Sequence, residues 1–175
     1  MTSNLPAVRQ MLALDDIVAS YHELPTHPVK LRALLRDTAI LCIACDKGFA
    51  ALKPILGKVI VQVQKTGVWE EWGYRTFTDF VSRGMEEEFR ISRTQAFNCY
   101  RLVLNWPSLT VAEAVGIGPV KLWELSRATK EGEANAGKWL AKAKEMSVED
   151  FKDAVSSHLG TTPSADKFVR IEMTV

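Results

Sequence analysis

The chain has 175 residues, 47% of them hydrophobic and 25% charged. That is the balance of an ordinary folded protein, long enough to bury a core without disulfides or metals. A net charge of only +1 excludes the global basicity of many nucleic-acid binders, so any contact with DNA must come from a local concentration of positive charge. No basic start leads into an apolar stretch at the N-terminus, and the apolar run Thr38 to Cys45 is far short of a membrane span, which argues against export and insertion and for the cytoplasm.

Residues 1 to 28 form a weakly amphipathic segment with Leu12, Leu14, Ile17, Val18 and Tyr21, ended by Pro25 and Pro28, and are read as an arm or packing helix. From Val29 to about Cys45 the apolar positions Leu31, Leu34, Leu35 and Ile40 to Ile43 recur with helical spacing. A second helix is predicted over Phe49 to Lys65, with Pro54 near its start and Gly67 as its stop. Residues 1–54 thus make an N-terminal helical unit.

Cys42, Cys45 and Cys99 are an odd number of cysteines, which suits a reducing compartment. The Cys42/Cys45 spacing has the form of a redox or zinc motif. A zinc site needs about four ligands, however, and the only histidines are His22, His27 and His158. Buried structural cysteines are expected, with no metal and no cofactor.

Trp69, Trp72 and Tyr74 follow beside Gly67, a pattern typical of a core corner; base stacking on exposed rings would need a single-stranded groove that nothing else indicates. Between Thr76 and Phe89 the pattern is helical, opening on the cap-forming Thr76-Phe77-Thr78-Asp79 and burying Phe77, Phe80, Val81, Met85 and Phe89. After Arg90 and Ile91 a second capping box, Ser92-Arg93-Thr94-Gln95, starts a helix from Arg93 to about Asn105. Two capped helices so close together have the sequence form of a helix-turn-helix. Ala96, Cys99, Tyr100 and Val103 fall on one side of the second helix and Thr94, Asn98, Arg101 and Asn105 on the other.

Arginine and asparagine pair with guanine and adenine edges in the major groove. Arg93, Thr94, Gln95, Asn98 and Arg101 are therefore the candidate base-reading residues. Arg75, Thr76, Arg90, Ser92 and Lys121 are the candidates for phosphate contacts. Arg75, Arg83, Arg90, Arg93 and Arg101 concentrate charge in this stretch, while Glu86, Glu87 and Glu88 would have to face away from DNA. Downstream, Val111 to Leu125 has a similar form, with Gly116 as a turn and Pro119 as a first helical residue. Its exposed set, Val120, Lys121, Glu124 and Arg127, is poorer in base-reading chemistry, so it is read as a supporting unit, with the alternative that it is itself the reader.

The run Ile91 to Leu102, followed by Trp106-Pro107 and the helices to Thr129, resembles the helix-turn-helix region of ParB- and KorB-type plasmid proteins and related regulators of phages and mobile elements. Gly73-Tyr74-Arg75-Thr76-Phe77-Thr78-Asp79-Phe80 is similar to the aromatic lead-in of such regulators. The likeness spans roughly residues 55 to 158. It departs at Arg90, in place of a small turn residue, and at Glu86, where a small residue lets the helices approach. The arginine-rich nucleotide-binding motif of the ParB N-terminal domain is absent, so the resemblance implies DNA binding alone and no CTP-driven clamping.

Past Thr129, Lys130 to Gly137 is a polar linker, and Ser147 with Asp150 caps a helix from Val148 to about His158. Val169, Ile171, Met173 and Val175 alternate with polar residues in strand periodicity. The expected fold is all-α, six to eight helices with a helix-turn-helix core at 55–129, C-terminal helices at 130–160 and a strand or flexible tail at 161–175. No nucleophile and base pair, metal set or phosphate loop is visible, so the expectation is a non-enzymatic, sequence-specific double-stranded DNA-binding protein that serves transcription or maintenance of a plasmid, phage or conjugative element. It would work as a homodimer reading two half-sites, with Phe168 to Val175 as a candidate contact. The alternative function is a helical adaptor or antiactivator that sequesters another regulator.

Overall fold

The computed structural model describes residues 23–44, 49–128 and 135–161. Every regular element among them is helical: α1 (Pro28–Ala44), α2 (Phe49–Thr66), α3 (Phe77–Asp79), a π-helical turn (Phe80–Gly84), α4 (Met85–Phe89), α5 (Arg93–Asn105), α6 (Val111–Ile117), α7 (Pro119–Ala128), α8 (Ala136–Glu145) and α9 (Val148–His158). Cys45, the N-terminal segment through His22, most of the linker after Thr129 and the strand-like tail lie outside the described residues. No described helix is long and apolar enough to cross a membrane.

The helices enclose two apolar clusters that meet on α5. The first holds Leu31 and Leu35 of α1, Leu52, Ile55, Leu56, Val59 and Ile60 of α2, the aromatic corner, and Ala96, Cys99 and Val103 of α5. The second holds Leu102 and Trp106 at the end of α5 together with Leu122, Leu125, Trp139, Phe151 and Val155. Trp106 Nε1 donates to the Ala136 carbonyl at 2.9 Å and ties the end of α5 to the start of α8. Lys53, buried on α2, donates through Nζ to the Pro119 carbonyl at 3.3 Å, and burial lowers its pKa.

Gly57 fixes how closely α5 lies on α2. A Cβ there would stand 2.2 Å from the Cys99 carbonyl oxygen and 2.6 Å from Val103 Cγ2, so only glycine permits this approach. Cys42 and Cys99 are buried, and burial pushes the Cys99 thiol up to about 12, which leaves it protonated.

The stretch expected as one helix from Thr76 to Phe89 is interrupted by the π turn, in which the Met85 amide donates to the Phe80 carbonyl. Phe80 and Met85, five residues apart, would lie on different faces of an α-helix. The wider turn brings both inward, and each is fully buried. Phe80 is the hub of the aromatic corner, with ring centroids 5.6 Å from Trp72, 5.4 Å from Tyr74, 6.3 Å from Phe77 and 6.5 Å from Phe89.

Candidate nucleic-acid interface

Local capping chemistry sets the start of α5. The Ser92 hydroxyl accepts from the Gln95 amide at 3.3 Å, and Gln95 Oε1 accepts from the Ser92 amide at 3.2 Å, completing the capping box. Just before it, Arg90 takes a left-handed conformation, φ 58 and ψ 24, the only positive φ outside glycine among the described residues. The Ile91 amide then reaches the Met85 carbonyl at 3.0 Å and the Ile91 side chain is buried, which anchors the corner between α4 and α5. The departure from a small turn residue thus leaves the turn formed, with an arginine in a conformation that costs an L-residue about 1–2 kcal/mol.

From this start α5 presents Arg93, Thr94, Phe97, Asn98 and Arg101 around an open cleft of about 260 Å³. The Arg93 guanidinium lies 5.7 Å from the Phe97 ring centroid. Arg90, Arg93 and Arg101 are exposed and take part in no ion pair among the described residues. Their charge is therefore not neutralised by any carboxylate among the described residues. Asn98 departs from expectation: it is 8% exposed, and its Nδ2 has no hydrogen-bond partner among the described residues. It lies one helical turn before Leu102 of the second cluster and lines the cleft from α5.

Four other candidates are already engaged. Gln95 is half-buried with its oxygen committed to the cap, and the Ser92 hydroxyl proton goes to the same oxygen at 2.9 Å. Thr76 caps α3 by accepting from the Asp79 amide at 3.0 Å. Lys121 donates to the Met146 carbonyl at 3.1 Å, because its position on α7 faces the junction of α8 and α9 rather than solvent. Arg75 is exposed at the lead-in to α3, with its amide donating to Asp79 at 3.3 Å. The structure therefore gathers Arg93, Thr94, Asn98 and Arg101 in one cleft, places Arg90 in the turn before it, and leaves Lys121 elsewhere.

Two of the three consecutive glutamates are held away from this face. Glu88 accepts from Arg32 and from the Tyr74 hydroxyl, and Glu87 lies 3.6 Å from Arg83. The helices of the downstream segment are joined at Gly118, φ 82, and Gly116 lies inside α6, contrary to the turn expected there. A single residue thus separates α6 from α7, Glu124 is buried, and Arg127 pairs with it at 2.9 Å, so this segment exposes little that could read a base.

Sequence reasoning missed Phe97, although its position one turn from both Arg93 and Arg101 marked it as part of their face. It also missed the capping box of Thr110 and Glu113, a plain T-x-x-E at the start of α6. Among the described residues no group of histidines, cysteines and carboxylates is placed to hold a metal ion. No family model matches the chain, and neither a curated protein nor a solved structure is similar to it.

Proposed function

We propose that this protein binds double-stranded DNA without catalysing a reaction, using α4, the turn at 90–92 and α5 as a helix-turn-helix with the polar face of α5 in the major groove. The observation that carries the reading is that Arg93 and Arg101 in the cleft, and Arg90 in the turn before it, are exposed and have no carboxylate partner among the described residues. The left-handed Arg90 adds to it, because a strained backbone is retained where glycine would be cheaper and a cation stands beside the reading helix. Arg93, Thr94 and Arg101 read base edges, and Arg90, with the more distant Arg75, contacts phosphates. Two copies acting on half-sites about one helical turn apart supply the specificity that one unit lacks, in the control or maintenance of a plasmid, phage or conjugative element.

Binding to a duplex selected from a random pool, followed by fluorescence anisotropy at 50 and 200 mM salt, tests the reading. Two phosphate contacts per protomer, those of Arg90 and Arg75, predict roughly 12-fold weaker binding per protomer at the higher salt. Absence of duplex binding, or binding indifferent to salt, overturns the proposal.

One observation favours the adaptor reading instead. Val29, Ile40 and Ile43 on α1 are 71%, 55% and 54% exposed, and with Ala33 they give one face of α1 an apolar character, broken by Arg36, that suits a helical partner. Alteration of Val29 and Ile40 to serine leaves DNA affinity intact on the first reading and abolishes partner capture on the second.

A further inference from the structure

The recessed amide on α5 bears on what the reading face takes hold of. Asn98 is nine-tenths buried, its Nδ2 has no partner among the described residues, and it lies in the cleft bounded by Arg93, Thr94, Phe97 and Arg101. A buried amide donor left unpaired is costly, and no described group supplies its acceptor, so an acceptor that enters the cleft would satisfy it. We infer that this cleft receives a phosphate group of the DNA backbone rather than the edge of a base. The inference rests on the DNA-binding reading above.

Three features favour a phosphate. The groups that converge are donors and cations: the Asn98 amide, the Thr94 hydroxyl and two guanidinium groups, with no carboxylate among the lining residues. Arg93 lies over the Phe97 ring, an arrangement that leaves the in-plane N–H groups of the fork free to meet oxygen atoms. The third feature is depth. To pair with adenine, asparagine must present its oxygen and its nitrogen together to a base edge that stays in the stack. An amide 8% exposed does not present both atoms to a base edge, whereas a phosphate protrudes from the duplex, carries only acceptors and needs just the one donor. Asn98 then positions α5 on the backbone, and the exposed Arg93 and Arg101, each with five N–H donors, serve both that phosphate and the neighbouring base edges.

The test uses the full chain and N98A, with N98D as a second variant. In the ¹⁵N-labelled wild type, inorganic phosphate titrated against a chloride control of equal ionic strength shifts the Asn98 side-chain amide signal saturably. N98A keeps the thermal midpoint of the wild type or raises it, since it removes an unpaired buried donor, and it weakens binding to the selected duplex and to a scrambled duplex by the same factor, about tenfold. N98D, which sets a carboxylate against the phosphate, weakens both duplexes further. A loss confined to the selected duplex makes Asn98 a base reader and overturns the inference while leaving the DNA-binding reading in place. An amide signal unmoved by phosphate, with N98A binding both duplexes like wild type, also overturns it. A wild type that binds no duplex, yet whose Asn98 signal responds to phosphate, supports the phosphate site and sinks the DNA-binding reading instead.

Discussion

The arginines of the first cluster and those of α5 are the same residue type put to opposite uses. Arg32 pairs with Glu88, which also accepts from Tyr74, and Arg83 pairs with Asp79 at 3.1 Å and with Glu87. These charges are neutralised where they stand. A few residues further on, Arg90, Arg93 and Arg101 have no carboxylate partner among the described residues. Density of positive charge along the chain therefore overstates the available field, because Arg83 counts toward the cluster in sequence and is spent in the fold. The unpaired set is held out by rigid means: the cap at Ser92, the turn at Arg90, and the close seat of α5 on α2.

The largest effect on this contrast comes from removing the seat. Gly57→Ala forces a methyl group into the Cys99 carbonyl and Val103, and overpacking against backbone costs about 1–3 kcal/mol or more. Thermal unfolding is expected at a markedly lower midpoint, with DNA binding lost together with the placement of α5. An unchanged midpoint would show that α2 and α5 do not pack this closely.

A crossed pair of effects comes next. Arg93→Ala and Arg101→Ala should each weaken duplex binding by about 1–3 kcal/mol with little change in stability. Arg32→Ala should leave binding alone and cost up to about 1 kcal/mol of stability, because its pair with Glu88 is roughly a third exposed. Arg83→Ala, at an exposed pair that solvent screens, should move neither measurably. If Arg32→Ala weakens binding as much as Arg101→Ala, the division between paired and unpaired arginines has no functional meaning.

Arg90→Gly separates the two roles within one residue. Relief of the left-handed strain, less the added freedom of the unfolded glycine, should raise stability by about 0.5–1 kcal/mol. The same change removes a cation beside α5 and should weaken DNA binding and lower the salt dependence by about one phosphate contact. Denaturant melts and anisotropy on the same preparation read both; a variant that is less stable than wild type would show that the turn needs the arginine side chain itself.

What was legible in the sequence is what local chemistry decides. Ser92 with Gln95 gives α5 as Arg93–Asn105, and Ser147 with Asp150 gives α9 as Val148–His158, because each cap is closed by residues three apart. The aromatic corner was legible because bulky rings beside a glycine have few other uses. Tertiary contacts decide what was not. The π turn sets Gly84 against the Tyr74 ring, where a Cβ would stand 2.5 Å from Tyr74 Cζ, a contact between elements that the pattern of one helix does not record. The burial of Asn98, Lys53 and Glu124 depends on which helices arrive over them, and periodicity within one helix carries no record of that. The candidate cleft was accordingly readable as a polar face and unreadable in depth.

The smallest effect expected is a pH dependence on the side of the molecule where charges are paired. Glu113 bonds Lys144 at 2.7 Å and accepts from the amide and hydroxyl of Thr110, and Lys144 first, then the Thr110 bonds, hold its carboxyl down to about 2. A carboxyl whose pKa is lower in the folded chain than the usual 4.3 stabilises the fold above that value and loses the contribution as pH falls toward 2. Glu88 is shifted the same way: burial raises its pKa, and the bonds from Tyr74 and Arg32 more than offset this. Because the Glu113 and Lys144 side chains are 36% and 43% exposed, solvent screens the pair to about 0.3–1 kcal/mol, far below what the shift alone implies. Glu113→Gln keeps an oxygen for the Thr110 cap and removes only the charge. The variant should therefore melt slightly below wild type at pH 7, and the gap should close between about pH 4 and pH 2. Duplex binding at pH 7 should be identical in the two, since Lys144, which the variant releases from its ion pair, lies on α8 and not on the proposed reading helix. A gap that persists at pH 2 would assign the effect to the cap instead of the ion pair. A change in DNA affinity would place α8 in the interface and erase the contrast between the two sets of charges.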